Sequence, residues 1–180
     1  ETTGRNFRTT VHRTTAEAAF GLGEHDADPP LTAPFDLVLF GNVLSELTDP
    51  VAVCAAGLDA LASDGSVVAL APADKETATS LREVERAVTA DHEREPSVYA
   101  PTLRLWPDAT PADRGWSFDV REDLAVPAFQ RQLDEAATRA ADDEPGEFVN
   151  VDVQFAYSLL RPDGERRDDV WGRADRCARM

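Results

Sequence analysis

Residues 35–40 (FDLVLF) place Leu37, Val38, Leu39 and Phe40 in an unbroken β-prone run that stops at Gly41-Asn42. A run without alternation is the pattern of a parallel strand covered on both faces, so a strand in the middle of a sheet is predicted, leading straight into a helix. Residues 66–71 (SVVALA) form a second such strand, closed by Pro72. Between the two, Val51, Cys54, Ala55, Leu58 and Leu61 recur at helical spacing and predict one buried stripe. Thr48 or Asp49 can cap that helix with Pro50 at its first position, and Asp64-Gly65 is expected to end it in a turn. Asp74 can cap a further helix whose apolar face is Ala78, Leu81, Val84 and Val88, fading near Asp91. Strands alternating with helices imply a mostly parallel sheet with right-handed crossovers, an α/β fold. In such folds ligands bind beyond the carboxyl ends of the strands, which puts Gly41, Asn42 and Val43 at the rim of a crevice.

The flanks are less regular. Phe7 to His12 is a plausible short strand, followed by a Gly, Asp and Pro-rich loop from Gly21 to Pro34. From Glu95 to Ala125 the alternation breaks; Pro96, Pro101, Pro107 and Pro111 accompany Tyr99, Trp106, Trp116 and Phe118, so residues 95–125 read as an ordered insertion. A helix is expected from Pro127 to Ala141 with Phe129, Leu133 and Ala137 on one face. Residues 148–160 (FVNVDVQFAYSLL) alternate, which predicts an edge or antiparallel strand burying Val149, Val151, Val153, Phe155, Tyr157 and Leu159. Pro162-Asp163-Gly164 turns the chain into a charged tail over residues 165–180. No internal repeat appears.

At 180 residues and 42% apolar content the chain supports one domain, residues 1–180. Its formal charge is −16, and of its 18 basic residues only Lys75 is lysine. A carboxylate-rich, lysine-poor surface fits a protein of a high-salt cytoplasm, where screening makes self-repulsion tolerable. Such acidity normally argues against nucleic acid. At molar salt, however, the Debye length is about 3 Å and local arginines matter more than net charge. Cys54 and Cys177 are too few and too far apart for a disulfide framework or a metal site. No run approaches the length of a membrane span and no signal peptide is evident, so a soluble, cytoplasmic protein without a membrane partner is expected. The chain starts at Glu1 and stops within a charged segment, as a piece of a longer protein would.

Four segments carry a family likeness: NVLSEL at Asn42 to Leu47, DGSVVALAPADKETATSLREVERA at Asp64 to Ala87, VYAP at Val98 to Pro101 with WSF at Trp116 to Phe118, and VDVQFAYSLLRPDG at Val151 to Gly164. In this order they resemble a class I S-adenosylmethionine-dependent methyltransferase, and more narrowly the methyltransferase-like family associated with the small ribosomal subunit. The resemblance implies a Rossmann-like fold, S-adenosylmethionine as cofactor in the intact protein, and the small ribosomal subunit or its rRNA as partner. It also implies a role in rRNA methylation or subunit assembly. A non-catalytic ribosome-binding scaffold and a small-molecule methyltransferase with an aromatic lid are the alternatives.

The chain departs from that family twice. The glycine-rich loop after the first strand and the acidic residue ending the second are absent, as if the chain began at the third strand; Gly21-Leu22-Gly23 is followed by acidic residues and prolines and reads as a loop. The cysteines that family members carry around VYAP and W-x-F are also replaced, Thr102 standing after Pro101, so no iron–sulfur cluster and no metal are expected in this chain. The fragment alone is expected to be inactive.

The resemblance puts Gly41, Asn42 and Thr15 near the cofactor, Thr15 at a position that can contact the adenine. Turn formation by Asn42 and a loop role for Thr15 are the plain alternatives. Glu46 and Pro72 are candidate substrate contacts, though a Glu in a first helical turn also complements the helix dipole. Arg104, Trp106 and Trp116 can stack on unpaired bases or pack on the sheet. Arg161, with Arg166 and Arg167, is the best candidate for phosphate contact, set against a self-paired charge run with Asp163 and Glu165. The catalytic residues are not identifiable. The histidines lack metal spacing, and Val43-Leu44 after Asn42 disfavours the Asn-Pro-Pro-aromatic route to amine methylation.

Overall fold

The computed structural model describes residues 2–3, 8–22, 31–101, 119–122, 124–141, 149 and 152–167. Its elements are β1 (Thr2–Thr3), β2 (Arg8–Thr9), α1 (Ala16–Ala19), β3 (Phe35–Gly41), a 3₁₀ turn (Leu44–Glu46), α2 (Pro50–Asp59), β4 (Leu61–Pro72), α3 (Lys75–Asp91), β5 (Ser97–Ala100), β6 (Asp119–Arg121), α4 (Ala128–Ala141) and β7 (Val153–Arg161). The fold is α/β. Among the described residues β1 and β2 pair only with each other, so the expected first strand belongs to a two-stranded piece separate from the main sheet. The main sheet has the order β3-β4-β7-β5, with β6 also on β7. β3 and β4 run parallel, and β7 is antiparallel to β4, β5 and β6. Among the described residues four of the five strands therefore share one direction, and β7 alone is reversed.

Local chemistry explains why these elements start where they do. Asp49 caps α2, accepting from the Ala52 N–H at 2.9 Å, with Pro50 in the first turn where its missing N–H costs nothing. Asp74 caps α3 in the same way, accepting from the Thr77 N–H at 3.0 Å. Arg94 ties the end of α2 to the start of β4: its Nη1 donates to Leu58 O at 2.6 Å and to Leu61 O at 3.2 Å. His92 braces the same corner, its Nδ1 accepting from the Arg94 N–H at 3.1 Å.

Cross-strand register assigns the side chains to two faces. Val38 lies beside Val67 and Leu160, and Phe40 beside Ala69 and Ser158. These residues, with Ala71 and Ala156, lie under α2 and α3, which pack on each other and on β4. Leu58, Val53 and Cys54 of α2 and Ala78, Leu81, Val84 and Val88 of α3 complete the core. Two glycines fit close approaches. A Cβ on Gly57 would sit 3.0 Å from the Phe40 ring, and one on Gly65 only 2.8 Å from the Phe35 carbonyl.

Several expectations are corrected. Among the described residues β3 is an edge strand, paired only with β4, and one of its faces is uncovered: Leu37 is 56% exposed and Leu39 59%. Its exit leads to the 3₁₀ turn before α2 begins at Pro50. Val51 faces solvent and Leu61 belongs to β4, because α2 stops at Asp59. Asp64-Gly65 lies within β4, where the pairing with β3 shifts register between Phe35 and Leu37. β5 and β6 are strands inside the segment read as an insertion. β7 is antiparallel as expected, but it lies inside the sheet with its faces exchanged: Ala156, Ser158 and Leu160 are buried, whereas Phe155, Tyr157 and Leu159 are half-buried. α4 forms as expected, with Phe129 and Leu133 exposed. No helix among the described residues is long and apolar enough to cross a membrane.

Candidate functional site

The carboxyl ends of β3 and β4 meet the 3₁₀ turn and the first turns of α3. Asn42 has φ 54°, the left-handed region that asparagine tolerates better than most residues, and its N–H donates to Leu70 O at 3.0 Å. That bond fixes the strand exit. Gly41 lies open beside it: a Cβ there would meet nothing within 4 Å. Leu44, Ser45, Leu70, Ala71, Thr77 and Ser80 line a shallow cleft at this corner.

Among the polar residues lining the cleft, Thr77 is engaged with its neighbours. The Thr77 hydroxyl is within bonding reach of the Asp74 carboxylate and of Pro72 O, the latter at 3.2 Å. These bonds from Thr77, side chain first and then backbone, hold the Asp74 carboxyl below its ordinary range. Pro72 thus sits at the expected edge with its carbonyl turned to a helix cap. Glu46 is exposed in the single turn of the 3₁₀ helix and outside the cleft lining. The corner offers hydroxyls and backbone groups, with neither an engaged acid–base pair nor a nucleophile.

The other candidates do not converge here. Thr15 caps α1, accepting from the Ala18 N–H at 3.1 Å, so its oxygen already has a local role. Arg161 lies at the far end of the sheet, because its neighbour Leu160 pairs with Val67 while Phe155 pairs with Pro72. Its Nε donates to both Asp163 carboxylate oxygens at 3.1 Å, Glu165 is 3.7 Å away, and the guanidinium lies 5.7 Å from the centre of the Tyr99 ring. Asp163 in turn keeps the guanidinium firmly charged and has its own carboxyl lowered by it. Two carboxylates flank this arginine, the local pairing of a self-paired charge run. Arg104, Trp106 and Trp116 lie outside the described residues.

The sequence reading missed a buried polar cluster beneath α3. Glu85 is 3% exposed and Ser158 1%. Ser158 Oγ donates to Glu85 Oε2 at 2.6 Å, Arg82 Nη1 reaches the same oxygen at 2.6 Å, and Arg82 Nη2 donates to Tyr157 O. A signal was present: Glu85 stands four residues after Leu81 and three before Val88, on the apolar stripe. Nearby Cys54 is buried, and burial, then the Glu85 charge, pushes its thiol up to about 12, which makes it a poor nucleophile.

The described residues do not fit S-adenosylmethionine unaided. The cleft has room for little more than a water molecule, and no acidic side chain at the end of β3 or β4 points into it for a ribose. Among the described residues no three His, Cys, Asp or Glu side chains gather as a metal site. Compared with known proteins, the chain matches no family model, no curated protein and no solved structure.

Proposed function

We propose that this chain is the carboxyl-side portion of a Rossmann-like, class I methyltransferase-like domain that acts on the small ribosomal subunit, in rRNA methylation or in assembly. The observation that carries the reading is the corner where the parallel pair β3 and β4 ends at Gly41-Asn42 and Pro72, with the 3₁₀ turn and α3 around it. A complete site needs the glycine-rich loop that these 180 residues lack. In the intact protein the open side of Gly41 and the left-handed Asn42 are the groups positioned to face such a loop, and the cofactor would be held between them. Methyl transfer of this kind depends mainly on holding the nucleophile in line, which suits a corner without acid–base residues.

A scaffold reading is favoured by one observation, the engagement of Asp74 and Thr77 with each other in a cleft of little volume. Calorimetry separates the two: the intact protein binds S-adenosylmethionine if it is an enzyme, and absence of binding leaves the scaffold. Crosslinking in cells at native salt tests the partner. Recovery of small-subunit rRNA is expected, and recovery of none would sink the ribosomal reading. The formal charge of −16 supports a high-salt setting, for which the readout is a melting temperature that rises from dilute buffer to molar KCl.

A further inference from the structure

The edge of β7 that faces away from β4 meets two strands, β5 and β6, with a break between them. The Asn42 N–H donates to Leu70 O, so the main-chain groups of Leu70 face β3. Successive residues of a strand turn their N–H and C=O to alternate sides; Ala69 and Ala71 therefore face β7, where Ser158 and Ala156 lie opposite and face back. The odd-numbered residues from Val153 to Arg161 turn the other way, towards β5 and β6. There β6 meets Val153 with Arg121 and Phe155 with Asp119, and β5 meets Leu159 with Ala100 and Arg161 with Ser97. The Val120 N–H, turned away from β7 in this register, bonds the Asp119 carboxylate at 2.8 Å. Tyr157 is the rung between the two strands, and among the described residues no strand pairs with it.

A side chain meets its carbonyl instead. Arg82 reaches from α3, donating from Nη2 to Tyr157 O and from Nη1 to Glu85 Oε2 at 2.6 Å. Ser158 Oγ donates to the same carboxylate oxygen at 2.6 Å, so two consecutive residues of β7 are tied to one turn of α3. The planar fork of a guanidinium suits this place, since its two terminal nitrogens serve separate acceptors at once. We infer that Arg82 stands in for the missing strand at Tyr157 and fixes the break between β5 and β6, as the positioning residue for the points where the chain leaves the sheet at Ala100 and rejoins it at Asp119. Without it, a carbonyl of the sheet would lack its donor and both strand ends would fray from the gap. The first turns of α3 carry Thr77 and Ser80 to the cleft, so one helix reaches both the candidate site and this break. The inference goes beyond the methyltransferase reading and does not depend on it.

Site-resolved amide exchange of the 180-residue chain tests it. Arg82→Met alone would strand the buried Glu85 charge, so the comparison is between Glu85→Gln and the double variant Glu85→Gln/Arg82→Met, in which no charge is left unpaired. In the double variant the Asp119, Phe155 and Leu159 amides, the rungs beside the break, should exchange about tenfold faster than in Glu85→Gln, the effect of one lost hydrogen bond. The Ala156 and Ser158 amides, which face β4, should stay within about twofold. Unchanged rates at Asp119, Phe155 and Leu159 would overturn the inference, because the arginine would then serve only as the ion-pair partner of Glu85. Equal acceleration on both edges of β7 would overturn it as well, and so would a double variant that fails to fold where Glu85→Gln folds, since the arginine would then hold the whole sheet rather than the break.

Discussion

The two faces of the sheet use different side chains under the same backbone. The face beneath α2 and α3 carries Val38, Phe40, Val67 and Leu160 together with the small Ala69, Ala71, Ala156 and Ser158, and Val53, Leu58, Leu81, Val84 and Val88 of the helices close over it. The opposite face carries Leu37, Leu39, Leu70, Phe155, Tyr157 and Leu159, larger residues with only partial cover. On β7 the small Ala156 and Ser158 lie on the covered face and the larger Phe155, Tyr157 and Leu159 on the open one. A strand packed under a helix needs complementary volume more than hydrophobicity, and a polar Ser158 is accepted there because Glu85 receives its hydroxyl.

The largest way to break this contrast is to remove volume on the covered side. Leu58 is fully buried in α2, and Leu58→Ala should cost about 2–5 kcal/mol in urea unfolding, whereas Leu37→Ala on the open face should cost under about 1 kcal/mol. Equal losses would mean that both faces are covered. A smaller effect is expected at the polar cluster. Ser158→Ala keeps the packing nearly intact but deprives buried Glu85 of a donor, for about 1–3 kcal/mol by the same assay. No loss would mean the cluster contributes nothing to the covered face. The smallest effect sharpens the boundary of α3. Asp74 has its carboxyl pKa lowered on folding, so its contribution is present above the unfolded value near 4 and fades as pH falls through the lower folded value. The stability difference between the native chain and Asp74→Ala should accordingly shrink on acidification below about pH 4, measured by denaturant midpoints across pH.

Much of the covered side was legible in the sequence. The stripe Ala78, Leu81, Val84 and Val88, the Asp49 and Asp74 caps and the parallel β3 and β4 all follow from spacing and cap chemistry, which act within a few residues. The open side was not. The continuous run at Leu37 to Phe40 says that both faces are apolar, but it cannot say whether both are covered, because cover depends on which elements lie across the sheet. β7 misled for a related reason: Phe155, Tyr157 and Leu159 alternate with smaller residues, and hydrophobicity alone assigns the larger set to the core. At the candidate site, the turn at Asn42 and the edge position of Pro72 were readable. The self-pairing of Arg161 with Asp163 was readable as an alternative, since it acts over two residues, whereas the place of Arg161 at the far end of the sheet follows from the pairing of β7 with β4.

Leu39 and Phe40 are adjacent on β3 and point to opposite faces, at 59% and 4% exposure. Placing a glutamate at each in turn, in the 180-residue chain, is the most direct test of the two-faced sheet. Leu39→Glu should fold with a urea midpoint close to that of the native chain, and Phe40→Glu should fail to fold or lose several kcal/mol, about the cost of burying an unpaired charge. Comparable destabilisation by both substitutions would contradict the account, since it would require Leu39 to be as enclosed as Phe40.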